Sequence, residues 1–279
     1  MKLIDYIKIK QKEAVEKNLE EEAIIRLLLD LEYNTKANLI FKYNDDIDTL
    51  KWDKILSKYL DDKIPVQYIA KHAYFYGRKY YVDENVLIPR PETELLCEYA
   101  INIIKTNKLN KIIDIGTGSG AIAVTLYNEV DNIDVVASDI SKEALEIAQK
   151  NSNNNPNNNS RIKFIQSDVY DSLDIDKYDM IISNPPYIPN NDYVEEIVKN
   201  NEPHLALYGG EDGLDIYEKI IKNITDHLNE NGWLLFEIGV NQGKDIEYLL
   251  NKYQIKYNNI KVYKDYNGLD RIVIVKIVK

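Results

Sequence analysis

Asn184-Pro185-Pro186-Tyr187 sets a side-chain amide beside two rigid imides and a phenol ring. That combination suits one kind of substrate, a planar NH2 group. The nitrogen of an amide or aromatic amine is a poor nucleophile because its lone pair is delocalised. The Asn184 side-chain oxygen and the Pro185 carbonyl can accept its two hydrogens, leaving the lone pair aimed at an electrophile. Proline suits the second role, since its carbonyl is fixed and its ring brings no competing donor. Tyr187 can pack against the flat group. The same four residues also suit a structural Pro-Pro turn with a packed tyrosine, so the rest of the chain must decide between clamp and turn.

A second group of candidates belongs to a cofactor. In Asp114-Ile-Gly-Thr-Gly-Ser-Gly120 the residues Gly116, Thr117, Gly118, Ser119 and Gly120 form a tight loop that brings backbone close to a ligand. Gly116, Gly118 and Ala121 also satisfy the G-x-G-x-x-A form of a dinucleotide site, which makes NAD a competitor. Asp139 lies 25 positions after Asp114, where an acid can hold both hydroxyls of a ribose. Its alternative role, capping the next helix, is better served by Ser141. Asp168 can accept the amino group of an adenine, and Val169 can cover its face; the alternative is an ordinary loop aspartate. NAD chemistry has no evident use for Asn184 to Tyr187. S-adenosylmethionine has one, because its sulfonium methyl would point toward the NH2 group held there.

These residues need elements to position them. Met180 to Ile182 reads as the end of a buried strand, stopped by two prolines that hold the backbone extended. From residue 111 strands and helices alternate. Strands are expected at 112–115, 135–137, 162–165, 180–183 and 233–238, with helices at 121–128, 142–149, 216–228 and 245–253. Two β-rich runs, 256–263 and 271–277, flank Asn267-Gly268. This order gives a doubly wound, mostly parallel α/β domain, whose ligands bind at the carboxyl ends of the strands.

Upstream, residues 1 to about 70 contain no glycine and read as a helical bundle, with Ile24, Leu27, Leu28 and Leu31 on one helix face. Ala73–Tyr76 and Lys79–Val82, separated by Gly77-Arg78, make a plausible hairpin. Pro91 opens a helix whose apolar face includes Leu95, Leu96, Tyr99 and Ile103. Arg90, between two prolines, is held by rigid backbone. The expected division is a helical N-terminal domain over 1–72, a hairpin linker over 73–90 and the α/β domain over 91–279.

Composition narrows the function. The 279 residues carry a formal charge of −11, which disfavours a protein that coats nucleic acid. The single cysteine, Cys97, rules out a disulfide framework and a cysteine zinc cluster, and reads as a small buried hydrophobe. His72, His204 and His227 show no metal spacing, so no metal is expected. No apolar run approaches the ~18 residues of a transmembrane helix, and the first residues lack a signal-peptide pattern, so a cytoplasmic location is expected. Asn151 to Ser160 reads as a polar low-complexity loop without chemistry.

The glycine loop, Asp139, Asp168 and the Asn184 tetrapeptide together resemble class I methyltransferases that act on amino nitrogens, DNA and RNA adenine N6-methyltransferases included. Further segments are similar to the HemK/PrmC family: Pro65-Val-Gln-Tyr-Ile69, Phe75-Tyr-Gly77, Val86 to Glu94, Glu202-Pro203, Gly209-Gly210 and Asp212-Gly-Leu214. The resemblance runs from about residue 60 to the end. It implies a Rossmann-like enzyme that moves a methyl group from S-adenosylmethionine, releasing S-adenosylhomocysteine, to the side-chain amide of a glutamine in peptide chain release factors. It implies that Gly116 to Gly120 cradle the methionine part of the cofactor, that Asp139 holds the ribose, and that Asp168 and Val169 meet the adenine. Asn184, Pro185, Pro186 and Tyr187 would bind the glutamine amide, and Asn184 would also meet the cofactor. Arg90 and Glu92 would line the same cleft, and Glu202 with Gly209-Gly210 would shape a substrate-side loop. The rivals are an adenine N6-methyltransferase, a non-catalytic cofactor scaffold and an NAD oxidoreductase. A monomer acting on protein, without direct nucleic-acid contact, is the expectation.

Overall fold

The computed structural model describes residues 1–154, 162–174 and 176–278. By density of contacts the chain divides into two compact units. One holds Met1–His72 and Val194–Asn201, the other Ala73–Tyr193 and Glu202–Lys279.

The first unit is helical: α1 (Leu3–Glu16), α2 (Glu22–Leu28), α3 (Lys36–Phe41), α4 (Thr49–Leu60) and α5 (Val66–Ala70). Leu3, Ile7, Ile24, Leu27, Leu28, Trp52 and Leu56 form its core. Thr35 and Asp48 cap α3 and α4 by accepting from the N–H groups of Asn38 and Lys51. Leu31 departs from the expected stripe and is 41% exposed. Residues Leu29–Tyr33 wind as a π-helix, whose wider turn carries Leu31 off the face of Ile24, Leu27 and Leu28.

The second unit opens on a two-stranded ribbon, β1 (His72–Phe75) and β2 (Arg78–Tyr81). Its turn is Tyr76-Gly77, one residue earlier than the sequence suggested, and both residues have positive φ, +50° and +71°. That is the backbone of a type I′ turn, which the second position accepts without strain because it is glycine. Then come α6 (Pro91–Asn107), β3 (Lys111–Ile115), α7 (Ala121–Glu129), β4 (Asp134–Asp139), α8 (Lys142–Asn154), β5 (Ile162–Gln166) and β6 (Tyr178–Ser183). After α9 (Glu196–Asn201), which belongs with the first unit, follow α10 (His204–Leu207), α11 (Asp215–Lys222), α12 (Ile224–His227), β7 (Leu228–Glu237), α13 (Gly243–Lys252), β8 (Tyr257–Lys264) and β9 (Asp270–Ile277). The single helix expected over 216–228 is two, α11 and α12, parted at Asn223, and α12 stops at His227 because Leu228 already pairs with Tyr178 as strand.

The seven strands lie in the order β5-β4-β3-β6-β7-β9-β8. The first five are parallel, and β9 runs antiparallel between β7 and β8. Ile112, Met180, Ile182 and Leu235 pack on one face with α6 and α7. Ile113, Ile181, Leu234 and Phe236 pack on the other with α11 and α13. Both faces are covered, which is why the strands read as continuous apolar runs.

Two expectations need correction. The buried stripe of α6 is Thr93, Leu96, Cys97, Ala100, Ile101 and Ile104, whereas Leu95, Tyr99 and Ile103 are only partly buried. The helix is rolled so that a threonine heads its apolar face. Asn151 also belongs to no loop: α8 continues to Asn154, and Asn151 is 1% exposed. Its side chain accepts from the N–H of Tyr81 (2.7 Å) and donates to the carbonyls of Tyr81 and Ser119 (both 2.9 Å). It thereby ties the ribbon to the glycine loop. Residues 155–160 lie outside the described residues.

Candidate active site

The strand order reverses between β3 and β6, and such a switch point opens a crevice at the carboxyl ends of an α/β sheet. Register fixes what meets there. Ile115 pairs with Ser183 and Ser183 with Phe236, so Gly116 and Asn184 leave the sheet at one level, level with Glu237, which still pairs with Ile272 of β9. The Ser183 hydroxyl donates to the Ile115 carbonyl (2.6 Å), joining the two strand ends.

The glycine loop turns its N–H groups inward. Gly116 and Thr117 donate to the Ser138 carbonyl (2.8 and 2.9 Å), and Gly118 donates to Asp139 Oδ2 (2.8 Å). A loop built for a pyrophosphate would aim these groups at the anion instead. Beneath it lies Asp114, fully buried, accepting from the Thr117 hydroxyl (2.6 Å) and the Ala123 N–H (3.2 Å). Burial pushes its carboxyl up to about 7. With a second carboxylate, Asp139, gripping the loop, the surroundings favour a neutral or cationic ligand over an anionic one. Asp139 Oδ1 accepts from the Ser141 N–H (2.9 Å), and burial raises this carboxyl too. The cap of α8 comes from Ser141, whose Oγ accepts from Ala144 N–H (3.1 Å).

Past β5, Asp168 forms an ion pair with Lys219 of α11 (2.7 Å). No local pattern marks this lysine as a partner, since α11 presents it from 51 residues away. Val169 is buried with φ +53°. A β-branched residue resists that conformation, so the loop around it is over-determined by its neighbours.

The Asn184 loop is braced from below and from the side. Ile188 N–H donates to the Leu207 carbonyl (3.0 Å) and Gly209 N–H to the Ile188 carbonyl (2.9 Å). A Cβ at Gly209 would strike the Pro186 carbonyl, and one at Gly213 the Tyr187 carbonyl. These glycines therefore permit close backbone approach behind the tetrapeptide. Pro185 is buried; Asn184 and Pro186 face the cavity. The Tyr187 hydroxyl accepts from Arg271 Nη1 (3.4 Å), and burial pushes this phenol up to about 12. Asn184 Nδ2 donates to Thr93 Oγ1 (3.2 Å), and the Thr93 hydroxyl donates to Glu237 Oε2 (2.6 Å). Neither Thr93 nor Glu237 was singled out from sequence. The available signal was a threonine in the first turn of a helix, in line with Leu96, Cys97 and Ala100.

Several of these residues line one cavity of about 400 Å³. Its walls include Gly116 to Ser119, Asp139, Ser141, Asp168, Val169, Asn184, Pro186 and Arg90; Glu92, Gly120, Pro185 and Tyr187 are not among them. Gly120, at φ +80°, packs against Ala148 and turns the chain into α7. Arg90 Nη2 donates to Glu202 Oε1 (2.6 Å), and Glu202 Oε2 accepts from Ile88 N–H (3.1 Å). Glu202 is thus a buried anchor for the cavity's Arg90 wall. Among the described residues no group of three or more His, Cys, Asp and Glu side chains is placed to hold a metal ion.

A family model described as "Methyltransferase small domain" matches residues 93–211. The release factor glutamine methyltransferase of Lactococcus lactis is 40% identical to this chain over 274 residues, covering 91% of this chain and 98% of that protein. That of Streptococcus pneumoniae is 37% identical over 280 residues, covering 99% and 98%. Among solved structures, the human Mettl16 catalytic domain in complex with an RNA hairpin superposes with a TM-score of 0.54 at 16% identity, over 78% of this chain and 91% of that one. A methyltransferase from Pyrococcus furiosus gives 0.52 at 20% identity, over 82% and 98%. The two structures share the fold with this chain.

Proposed function

This chain belongs to the release factor glutamine methyltransferase family, and we propose a specific chemistry for its site. The enzyme moves a methyl group from S-adenosylmethionine to the side-chain amide nitrogen of the glutamine in the Gly-Gly-Gln motif of a peptide chain release factor, so modulating translation termination. The observation that carries the reading is Asn184, an amide facing the cavity at the same strand level as the glycine loop.

The cavity's residues fit the cofactor. When bound, S-adenosylmethionine supplies an electrophilic methyl group on a positively charged sulfur. The inward-turned N–H groups and the Asp139 carboxyl on the cavity wall suit a cationic ligand. Gly116, Thr117, Gly118 and Ser119 cradle its methionine part, with Gly120 shaping the turn. Asp139 holds the ribose hydroxyls, and Asp168 and Val169 meet the adenine.

The Asn184 Oδ1 and the Pro185 carbonyl accept the two hydrogens of the substrate amide, Pro186 keeps the loop stiff, and the Tyr187 ring covers the flat group. Holding nitrogen and methyl in near-attack geometry supplies about 7–11 kcal/mol. The amide proton leaves after methylation, once the nitrogen has lost its delocalisation, so no strong general base is required. The N-terminal helical unit docks the protein substrate. No helix among the described residues is long and apolar enough to cross a membrane. We place the enzyme in the cytoplasm as a monomer without direct nucleic-acid contact; its net charge of −11 supports the last of these.

The test is methyl transfer from labelled S-adenosylmethionine to a release factor, beside a copy whose Gly-Gly-Gln glutamine is alanine. Label on the first alone supports the reading. Label on neither, but on DNA or RNA, would move the assignment to an adenine N6-methyltransferase.

A further inference from the structure

We propose that Thr93 and Glu237 are positioning residues that fix which end of the Asn184 amide faces the substrate, and that they thereby select an NH2 group. This rests on the glutamine reading of the same site.

The order of donors dictates the outcome. A hydroxyl has one hydrogen to give. Thr93 gives its hydrogen to Glu237 at 2.6 Å, a short bond to a buried carboxylate. The Thr93 oxygen is then an acceptor only, and it takes a hydrogen from Asn184 Nδ2 at 3.2 Å. With Nδ2 committed, the carbonyl end of Asn184 is left for the substrate. Were the amide reversed, two donors would face each other at the substrate nitrogen. The same relay rejects a glutamate in place of glutamine, because an ionised carboxylate has no hydrogen to offer Oδ1.

The fold builds this relay deliberately. Ser183 pairs with Phe236, so Asn184 and Glu237 follow at one level. Thr93 heads the buried stripe of α6 and spans the gap between them. Glu237 is 1% exposed, a costly place for a carboxylate without a partner. Arg271 of β9, Arg90 and Glu92 at the head of α6, Tyr187, Tyr217 of α11 and Cys97 of α6 are the other titratable or charged groups whose fields reach it. Burial outweighs them and pushes the Glu237 carboxyl up to about 7. Once protonated, Glu237 can donate to Thr93, which frees Thr93 to donate toward Asn184 and releases its orientation. Turnover should therefore fall on the acid side of neutrality.

The experiment measures kcat and KM for the release factor, cofactor affinity, and the pH profile of kcat, in wild type, Thr93→Val, Thr93→Ser and Glu237→Gln. Thr93→Val keeps the shape and loses the hydroxyl. Its kcat should fall about 10- to 100-fold, the value of a hydrogen bond to a charged network, with cofactor affinity held. Thr93→Ser should restore most of it. Glu237→Gln should lose the acid limb of the profile. Asp114 also titrates near 7, so the substitution at 237, and not the wild-type profile alone, assigns the limb. Wild-type kcat in Thr93→Val, or an unchanged acid limb in Glu237→Gln, would overturn the relay. If Thr93→Val does not fold, the Glu237→Gln profile decides alone. A wild-type enzyme that leaves the release factor unmethylated would instead sink the functional reading on which the relay rests.

Discussion

At the scale of single residues, Asn184 and Asp139 separate the two halves of the site. In the proposed complex Asn184 touches the substrate nitrogen and only borders the cofactor. Asn184→Ala should therefore lower kcat by at least about 100-fold while the cofactor Kd, measured by calorimetry, changes little. An equal loss of both would refute the amide clamp. Asp139 works on the other side. Its two oxygens hold Gly118 and Ser141 and, in the proposed complex, the ribose. Asp139→Ala should weaken cofactor binding about 10- to 100-fold, and Asp139→Asn less, because one acceptor survives. Unchanged affinity in the alanine variant would remove the ribose assignment. Both residues were legible in the sequence because each follows a strand that ends in a recognisable pattern. Glu237 was not: it falls inside the apolar strand expected over 233–238, and only pairing with β6 places it beside Asn184.

At the scale of elements, the β/α alternation, the ribbon and the glycine loop could be read from periodicity and turn residues. What could not be read was rotation. One residue of roll separates the expected face of α6 from the face it buries, and that roll brings Thr93 to the site. A π-helical turn similarly removed Leu31 from its stripe. Composition misled at α8, where a run of asparagines suggested a loop but Asn151 is a buried bracket between β2 and the glycine loop. Asn151→Ala deletes three side-chain hydrogen bonds. It should cost about 2–4 kcal/mol of stability, read in urea melts, and weaken cofactor affinity with it. An unchanged melt would show that the ribbon and the loop hold without it.

At the scale of the molecule, net charge and the order of motifs spoke to substrate class, whereas the detailed acid–base balance of the core emerged only from packing. Asp114 is the clearest case. Burial raises its carboxyl from 3.8 to about 7. A raised acid contributes stability that is fully present below its ordinary range, near pH 4, and lost as pH rises through about 7. The stability difference between wild type and Asp114→Asn, which cannot titrate, should thus shrink or change sign from pH 5 to pH 8. The steepest slope is about 1.4 kcal/mol per pH unit. A difference that stays flat over that range would contradict the buried, raised carboxyl.

In the proposed complex an asparagine amide holds a glutamine amide for methylation. The measurement that tests it most directly is fragment mass spectrometry of a release factor after incubation with the enzyme and S-adenosylmethionine. The expected result is one methyl group on the side chain of the Gly-Gly-Gln glutamine, absent when Asn184→Ala replaces the wild type. An unmodified glutamine, or a methyl group found on any other residue, would contradict it.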